Sequence, residues 1–221
     1  MKEKHVRLFL WNSGWLVLCG AWLTPLIDLA GQAFFVHMTL HMMVVAIAAP
    51  LLSFAIAGAR WDPVRFAPVC FAAVPASVGE LLLVWIWHLP VPHHWARQTT
   101  AGLMVEQTTF LLVGLWLWLS AFGGARPRSR ERSAAGTIGL LLTSIHMTLL
   151  GALLALSPRP LFEHHHGFRG LTPLEDQHLG GAVMLVVGGI AYLAGGLWLT
   201  IDLVRAPKAN SLEANPVGAI E

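Results

Sequence analysis

The sequence predicts an all-α fold, a polytopic membrane bundle of six transmembrane helices with both termini cytoplasmic. Three observations carry that prediction. The chain has 221 residues, 56% of them hydrophobic and only 12% charged, with a mean hydropathy of +0.63. Soluble domains carry about a quarter charged residues, so half of the expected charge is missing. Six segments approach the roughly 20 apolar residues that a helix needs to cross about 30 Å of hydrocarbon. Finally, Lys and Arg cluster in alternate connections. Lys2, Lys4, Arg7, Arg60, Arg65, Arg126, Arg128, Arg130, Arg132, Arg205 and Lys208 fall on one side, against Arg97, Arg159 and Arg169 on the other. The positive-inside rule then fixes the orientation.

The first segment, Leu8 to Leu26, follows a basic start that resembles a secretory signal, but no small-x-small cleavage site follows, so it reads as a retained helix. The second runs from Ala33 to Ala57 and the third from Phe66 to Trp87. Pro50 and Pro75 predict kinks there, because neighbouring helices can satisfy the freed carbonyls. The fourth, Ala101 to Phe122, precedes the basic stretch GGARPRSRERS, a topology determinant and contact for the anionic lipids of the bilayer. The fifth is Thr137 to Leu156. The sixth, Leu179 to Leu203, carries Gly181, Gly188 and Gly195 at seven-residue intervals, a stripe that lets two backbones approach closely. Residues 1–205 thus form one membrane domain, followed by a cytoplasmic tail, 206–221.

Composition also excludes functions. A net charge of +2 leaves no basic surface for nucleic acid. Cys19 and Cys70 are too far apart for a CxxC redox motif. The spacing His37-Met38-Thr39-Leu40-His41 lacks the glutamate of the HExxH zinc proteases. No bond-making step on a substrate is visible, so the chain does not read as an enzyme.

What remains is the placement of polar side chains. At 1.5 Å per residue, His37 and His41 lie about 6 and 12 Å below the outer surface, Glu80 about 12 Å, and Glu106 and Gln107 roughly 8 to 9 Å. His146 falls near the middle of the fifth helix. These residues gather in the outer half of the bilayer or at its midplane. A charged carboxylate at the centre of a helix costs about 2.5–3.5 kcal/mol, so such a layer implies mutual partners or a bound ion. His37 and His41, four residues apart, share one helical face. They suit either a ligand or proton-relay role or interhelical hydrogen bonds to Glu80 or Glu106. Met38, Met42, Met43, Met104 and Met147 lie nearby, and imidazole with thioether favours copper over magnesium or calcium. At the outer rim the layer continues through Asp28, His88, His93, His94, Glu163, His164, His165, His166, Asp176, Gln177 and His178. Thr172-Pro173-Leu174-Glu175 reads as a capping box opening the last helix.

The stretches HMTLHMM, VEQTTFLLVGLWLW, GALLALSPRPLF and above all GLTPLEDQHLGGAVMLVVGGIAYL resemble the CtaG family of cytochrome c oxidase assembly factors, over roughly Leu26 to Val204. The resemblance implies a protein of the bacterial inner membrane that matures a haem–copper oxidase at the copper insertion step. His37 and His41 match the family's paired histidines, and Glu175, Asp176 and Gln177 match its final motif. Members often have Glu-His where this chain has Glu106-Gln107, and many carry a seventh span. The combined expectation is transient copper binding by His37, His41 and His146 with Met38 or Met42. Glu80, Glu106 and Gln107 would orient the imidazoles. The partners would be cytochrome c oxidase subunits and a periplasmic copper donor. Alternatives from the same residues are a haem-binding cytochrome ligated by His41 and His146, a proton- or metal-coupled transporter, and a metal-free assembly scaffold.

Overall fold

The computed structural model describes residues 2–124, 129–162 and 170–205, and among these it is entirely helical. Helix α1 (Lys2–Trp22) runs antiparallel to α2 (Phe34–Ile56). The Arg7 guanidinium donates to the Ala55 carbonyl at 3.4 Å, Gly14 lies against Leu52, and Gly20 lies against Met43. Helix α2 is the axis of the bundle, with Phe34, Met38, Leu40, Met42, Val44 and Val45 all buried. It bends through a wide turn, Met43–Ala48, just before Pro50. A proline inside a helix removes one backbone donor and crowds the carbonyl four residues earlier, and a wide turn relieves both.

The third span departs from the sequence expectation. Instead of one helix from Phe66, there is a four-residue helix, Pro63–Phe66, then a single 3-10 turn, Pro68–Cys70, and α3 begins only at Ala73. The residue before a proline avoids helical geometry, and Ala67, with φ −137° and ψ 61°, does so ahead of Pro68. Pro75 falls in the first turn of α3, where its missing N–H is one that no carbonyl needs, so the predicted kink there is absent. Helix α3 (Ala73–Trp87) is followed by Leu89, extended ahead of Pro90, and α4 (Pro90–Gln98) leaves at 73° to it. Within α3 alone there are 15 residues, about 22 Å of rise, which is short of a full crossing.

Helix α5 (Thr100–Phe122) is capped by the Thr99 hydroxyl, which accepts from the Gly102 N–H at 2.9 Å. Helix α6 (Arg130–Ala155) starts several residues earlier than its apolar stretch, because Ser129 supplies a cap. Helix α7 (Pro173–Arg205) opens with the expected box: the Thr172 N–H donates to Glu175 at 2.8 Å, and the Glu175 N–H donates back to the threonine hydroxyl at 3.3 Å. Helices α3 and α6 run parallel, joined by Ser77 and Thr143 at 2.8 Å and by Gly139 against the Ala73 backbone. Helices α6 and α7 run antiparallel and nearly touch, since a Cβ on Gly181 would stand 2.7 Å from the Gly151 carbonyl oxygen.

Four of these helices, α2, α5, α6 and α7, are long and apolar enough to cross a membrane, and the bent pair α3 and α4 adds a fifth if the two together are one broken span. The expected first span is helical, but Lys2, Glu3, Lys4 and Arg7 occupy its first turns. Only Leu8 to Trp22 is free of charge, about 22 Å of helix.

Candidate functional site

The proline break between α3 and α4 builds the site. Because the chain turns at Leu89-Pro90, α4 folds back over the start of α2 and carries His93 to a ring-centroid distance of 5.2 Å from His37. Phe34 at 5.6 Å and Phe162 at 4.2 Å hold the His93 ring in an apolar collar. From α5, Glu106 reaches the same point, and its Oε1 lies 3.2 Å from His37 Nε2. Both side chains are 1% exposed. The ligand atoms of His37, His93 and Glu106 all lie within 4.8 Å of one another.

A chain of donors fixes this carboxylate. Gln107 Nε2 donates to Glu106 Oε2 at 3.2 Å, and Trp22 Nε1 donates to Gln107 Oε1 at 3.5 Å. Trp87 Nε1 donates to Thr109 Oγ1 at 3.0 Å, and that hydroxyl donates to the Glu106 backbone carbonyl at 2.8 Å. A polar cavity of about 220 Å³ leads to His37 from the molecular surface, with Asp28, Arg97 and Thr99 in its wall. Arg97 is anchored by donation to the Gly31 carbonyl at 2.9 Å.

One turn further along α2, His41 is fully buried and lies 5.7 Å from the His88 ring and 3.6 Å from the Phe110 ring. His88, expected at the rim, is the residue that ends α3. Its Nδ1–H donates to the Val84 carbonyl at 2.7 Å.

The other expected ligands point elsewhere. Met38 lies against Gly180 and the Met42 sulfur against Gly188, both on α7, because these positions sit a third of a turn away from the histidine face. His146 is buried on α6, and the parallel register set by Ser77 and Thr143 puts position 146 level with Glu80 rather than with His37. Glu80 itself accepts from the Tyr192 hydroxyl at 2.5 Å and is not joined to an imidazole of α2.

Besides His93, two more of the expected rim residues, Asp176 and Gln177, are in the interior. Asp176 is fully buried and caps α2 from a distant part of the chain, accepting from the Phe34 N–H at 2.7 Å and the Phe35 N–H at 2.9 Å. Gln177 ties the α6–α7 connection, accepting from the Leu161 N–H at 2.6 Å and donating to the Leu154 carbonyl at 3.2 Å. His178 donates from Nε2 to the Ser157 carbonyl at 2.9 Å. His164, His165 and His166 lie outside the described residues, as does the tail after Arg205.

His93 is expected at the rim because the third span is read as ending at Trp87, with residues 88–100 as an outer connection. The signal that relocates it is Leu89-Pro90-Val91-Pro92, a helix stop followed at once by a proline suited to the first position of a new helix. No curated protein and no solved structure matches the chain. The sequence model of the cytochrome c oxidase caa3 assembly factor family matches residues 2–206, almost the whole length, and the chain belongs to that family.

Proposed function

We propose that the protein takes up a copper ion at His37, His93 and Glu106 from the outer side of the bacterial inner membrane and passes it to a cytochrome c oxidase subunit. One observation carries this reading: three ligand atoms from three helices converge within 4.8 Å, and one of the three residues, His37, lines a polar cavity. Two ligands about 2.0–2.1 Å from a common ion at the tetrahedral angle stand about 3.3 Å apart. The 3.2 Å between His37 Nε2 and Glu106 Oε1 fits that spacing. Two imidazoles and a carboxylate suit copper and zinc alike by chemistry, and membership of an oxidase assembly family favours copper.

The residues divide the work. Glu106 brings the negative charge that a cation needs in a medium of low dielectric, and Gln107 holds its second oxygen in place. Three protein ligands leave one position open, through which an incoming donor group or a receiving subunit can exchange the ion. Asp28 at the cavity wall offers a first electrostatic contact, and His178 with the histidines of the 164–166 stretch would concentrate the ion outside.

In this reading α1 is a sixth span, antiparallel to α2 across the same thickness, and both termini lie in the cytoplasm. The exposed Leu8, Phe9 and Leu16 on α1 suit contact with lipid. The test is metal analysis of detergent-purified protein equilibrated with Cu²⁺. Replacing His37 by alanine and Glu106 by glutamine together should weaken copper retention by about a hundredfold or more, beyond what changes to supporting residues cause. Equal copper content in the double variant would remove the site.

A further inference from the structure

We infer that His41 and His88 form a second metal site, distinct from the first, that takes a monovalent soft cation, Cu⁺, between two imidazoles. The elements that build the outer site repeat one turn deeper. Four residues on from His37 is His41, four residues on from Glu106 is Phe110, and five residues before His93 is His88. The second layer therefore keeps two imidazoles and exchanges the carboxylate for an aromatic ring.

What distinguishes these rings is unused lone pairs on two adjacent imidazoles; His146, also without partners, has no such neighbour on the histidine face of α2. Neither nitrogen of His41 has a hydrogen-bond partner, although the residue is fully buried. A carbonyl can only accept, so His88 Nδ1 carries the hydrogen in its bond to Val84, and Nε2 of the neutral ring keeps its lone pair. That Nε2 is shielded from solvent and also lacks a partner. Buried polar atoms are almost always satisfied, and two neighbouring imidazoles, edge to face with ring centroids 5.7 Å apart and with unused lone pairs, call for a bound ion or water. The anchoring of His88 through its other nitrogen is the arrangement by which metal-bound histidines are oriented.

Charge decides which ion. The Born cost of burying an ion scales with the square of its charge, so a divalent ion is about four times as costly as a monovalent one. The outer layer offsets a divalent charge with Glu106, whereas His41, His88 and Phe110 bring no negative charge. Two neutral nitrogen donors in an apolar, aromatic-lined setting suit cuprous copper. On α2 the two layers are four residues apart, about 6 Å, so an ion held at one is within a short step of the other.

The experiment uses full-length protein in lipid nanodiscs under anaerobic conditions. Cu⁺ is titrated against a chromogenic cuprous chelator, and Zn²⁺ is measured separately as a redox-inert divalent probe. The double variant His41→Leu, His88→Leu should lose one Cu⁺ equivalent, or bind it about a hundredfold more weakly, while Zn²⁺ uptake at the outer site is kept. The double variant His37→Ala, Glu106→Gln should show the reverse, losing Zn²⁺ and retaining the inner Cu⁺. X-ray absorption of the inner ion should report two nitrogen neighbours. Should His41→Leu, His88→Leu fold poorly, His88→Gln alone, at a helix end, serves in its place and should weaken Cu⁺ without touching Zn²⁺. An unchanged Cu⁺ count in the inner variants overturns this inference. Unchanged Zn²⁺ uptake in the outer variant overturns the outer site instead, and the inner one is then judged on its cuprous count alone.

Discussion

Asp62 and His41 are both fully buried, yet they are treated in opposite ways by their surroundings. Asp62 sits in the connection after α2 and accepts three backbone N–H groups: Gly58 at 2.6 Å, Gly124 at 2.7 Å and Val64 at 3.0 Å. It thereby ties the α2–α3 connection to the end of α5. Gly58 and Gly124 hold φ of 72° and 95°, conformations that suit glycine and that turn their N–H groups onto the carboxylate. His41, near the other end of the bundle, has no such partner for either nitrogen. The contrast separates polar groups that build the fold from polar groups the fold leaves unpartnered, which are the ones proposed to take a ligand. The former are saturated by backbone donors within the chain. The latter keep lone pairs that nothing in the chain uses.

The largest effect should come from breaking the saturated kind. Replacing Asp62 by alanine leaves three backbone donors without their acceptor, and losing a buried charged partner of this kind costs about 3–5 kcal/mol. A steep fall in melting temperature and in yield of folded protein is the expected result, with Cu²⁺ uptake per folded molecule unchanged. A variant of normal stability would mean that water replaces the carboxylate, and the distinction would lose its clearest case.

Asp176 is the intermediate case, since it stands close to the outer site but belongs with Asp62. It supplies the cap that Ala33, the residue at the head of α2, lacks. Replacing it by alanine should cost about 2 kcal/mol, the upper end for a helix cap. Metal should still bind, because His37 is positioned by Glu106 and by packing as well as by the first turn. Loss of metal with little loss of stability would instead move Asp176 into the site and blur the comparison.

These two aspartates mark what the sequence allowed one to read. The helical type of the fold was legible, because apolar runs of some 20 residues leave few other structures, whereas the third span was not, being broken at its prolines. The burial of His37, Glu106 and Gln107 was legible too, since their polar side chains lie on helices too apolar to be solvated all round. Asp176 was misplaced because its partners, Phe34 and Phe35, lie more than a hundred residues away in the chain, and no local pattern encodes a cap supplied from another helix. Met38 and Met42 were grouped with the histidines by proximity in sequence, whereas the helix directs them to the glycines of α7. His93 and His88 were hidden by the bend at Pro90, which redirects a helix by 73° and makes two rim residues into parts of two buried layers.

The smallest effect, and the only one with the opposite sign, should come from His41→Leu. Leucine is close to histidine in volume and brings no polar atoms. It removes two buried nitrogens that have no partners and adds apolar contact with Phe110. An unsatisfied buried polar group costs about 1–3 kcal/mol, so metal-free His41→Leu should be more stable than the parent by about 1 kcal/mol, once imperfect packing is allowed for. A melting curve in the presence of a strong chelator reads this directly. Addition of Cu⁺ should then reverse the order, because a ligand that binds only the folded parent stabilises it in proportion to the logarithm of its concentration. A residue that weakens the fold when empty and strengthens it when filled is held there for binding, and a destabilised His41→Leu under both conditions would return His41 to the same class as Asp62.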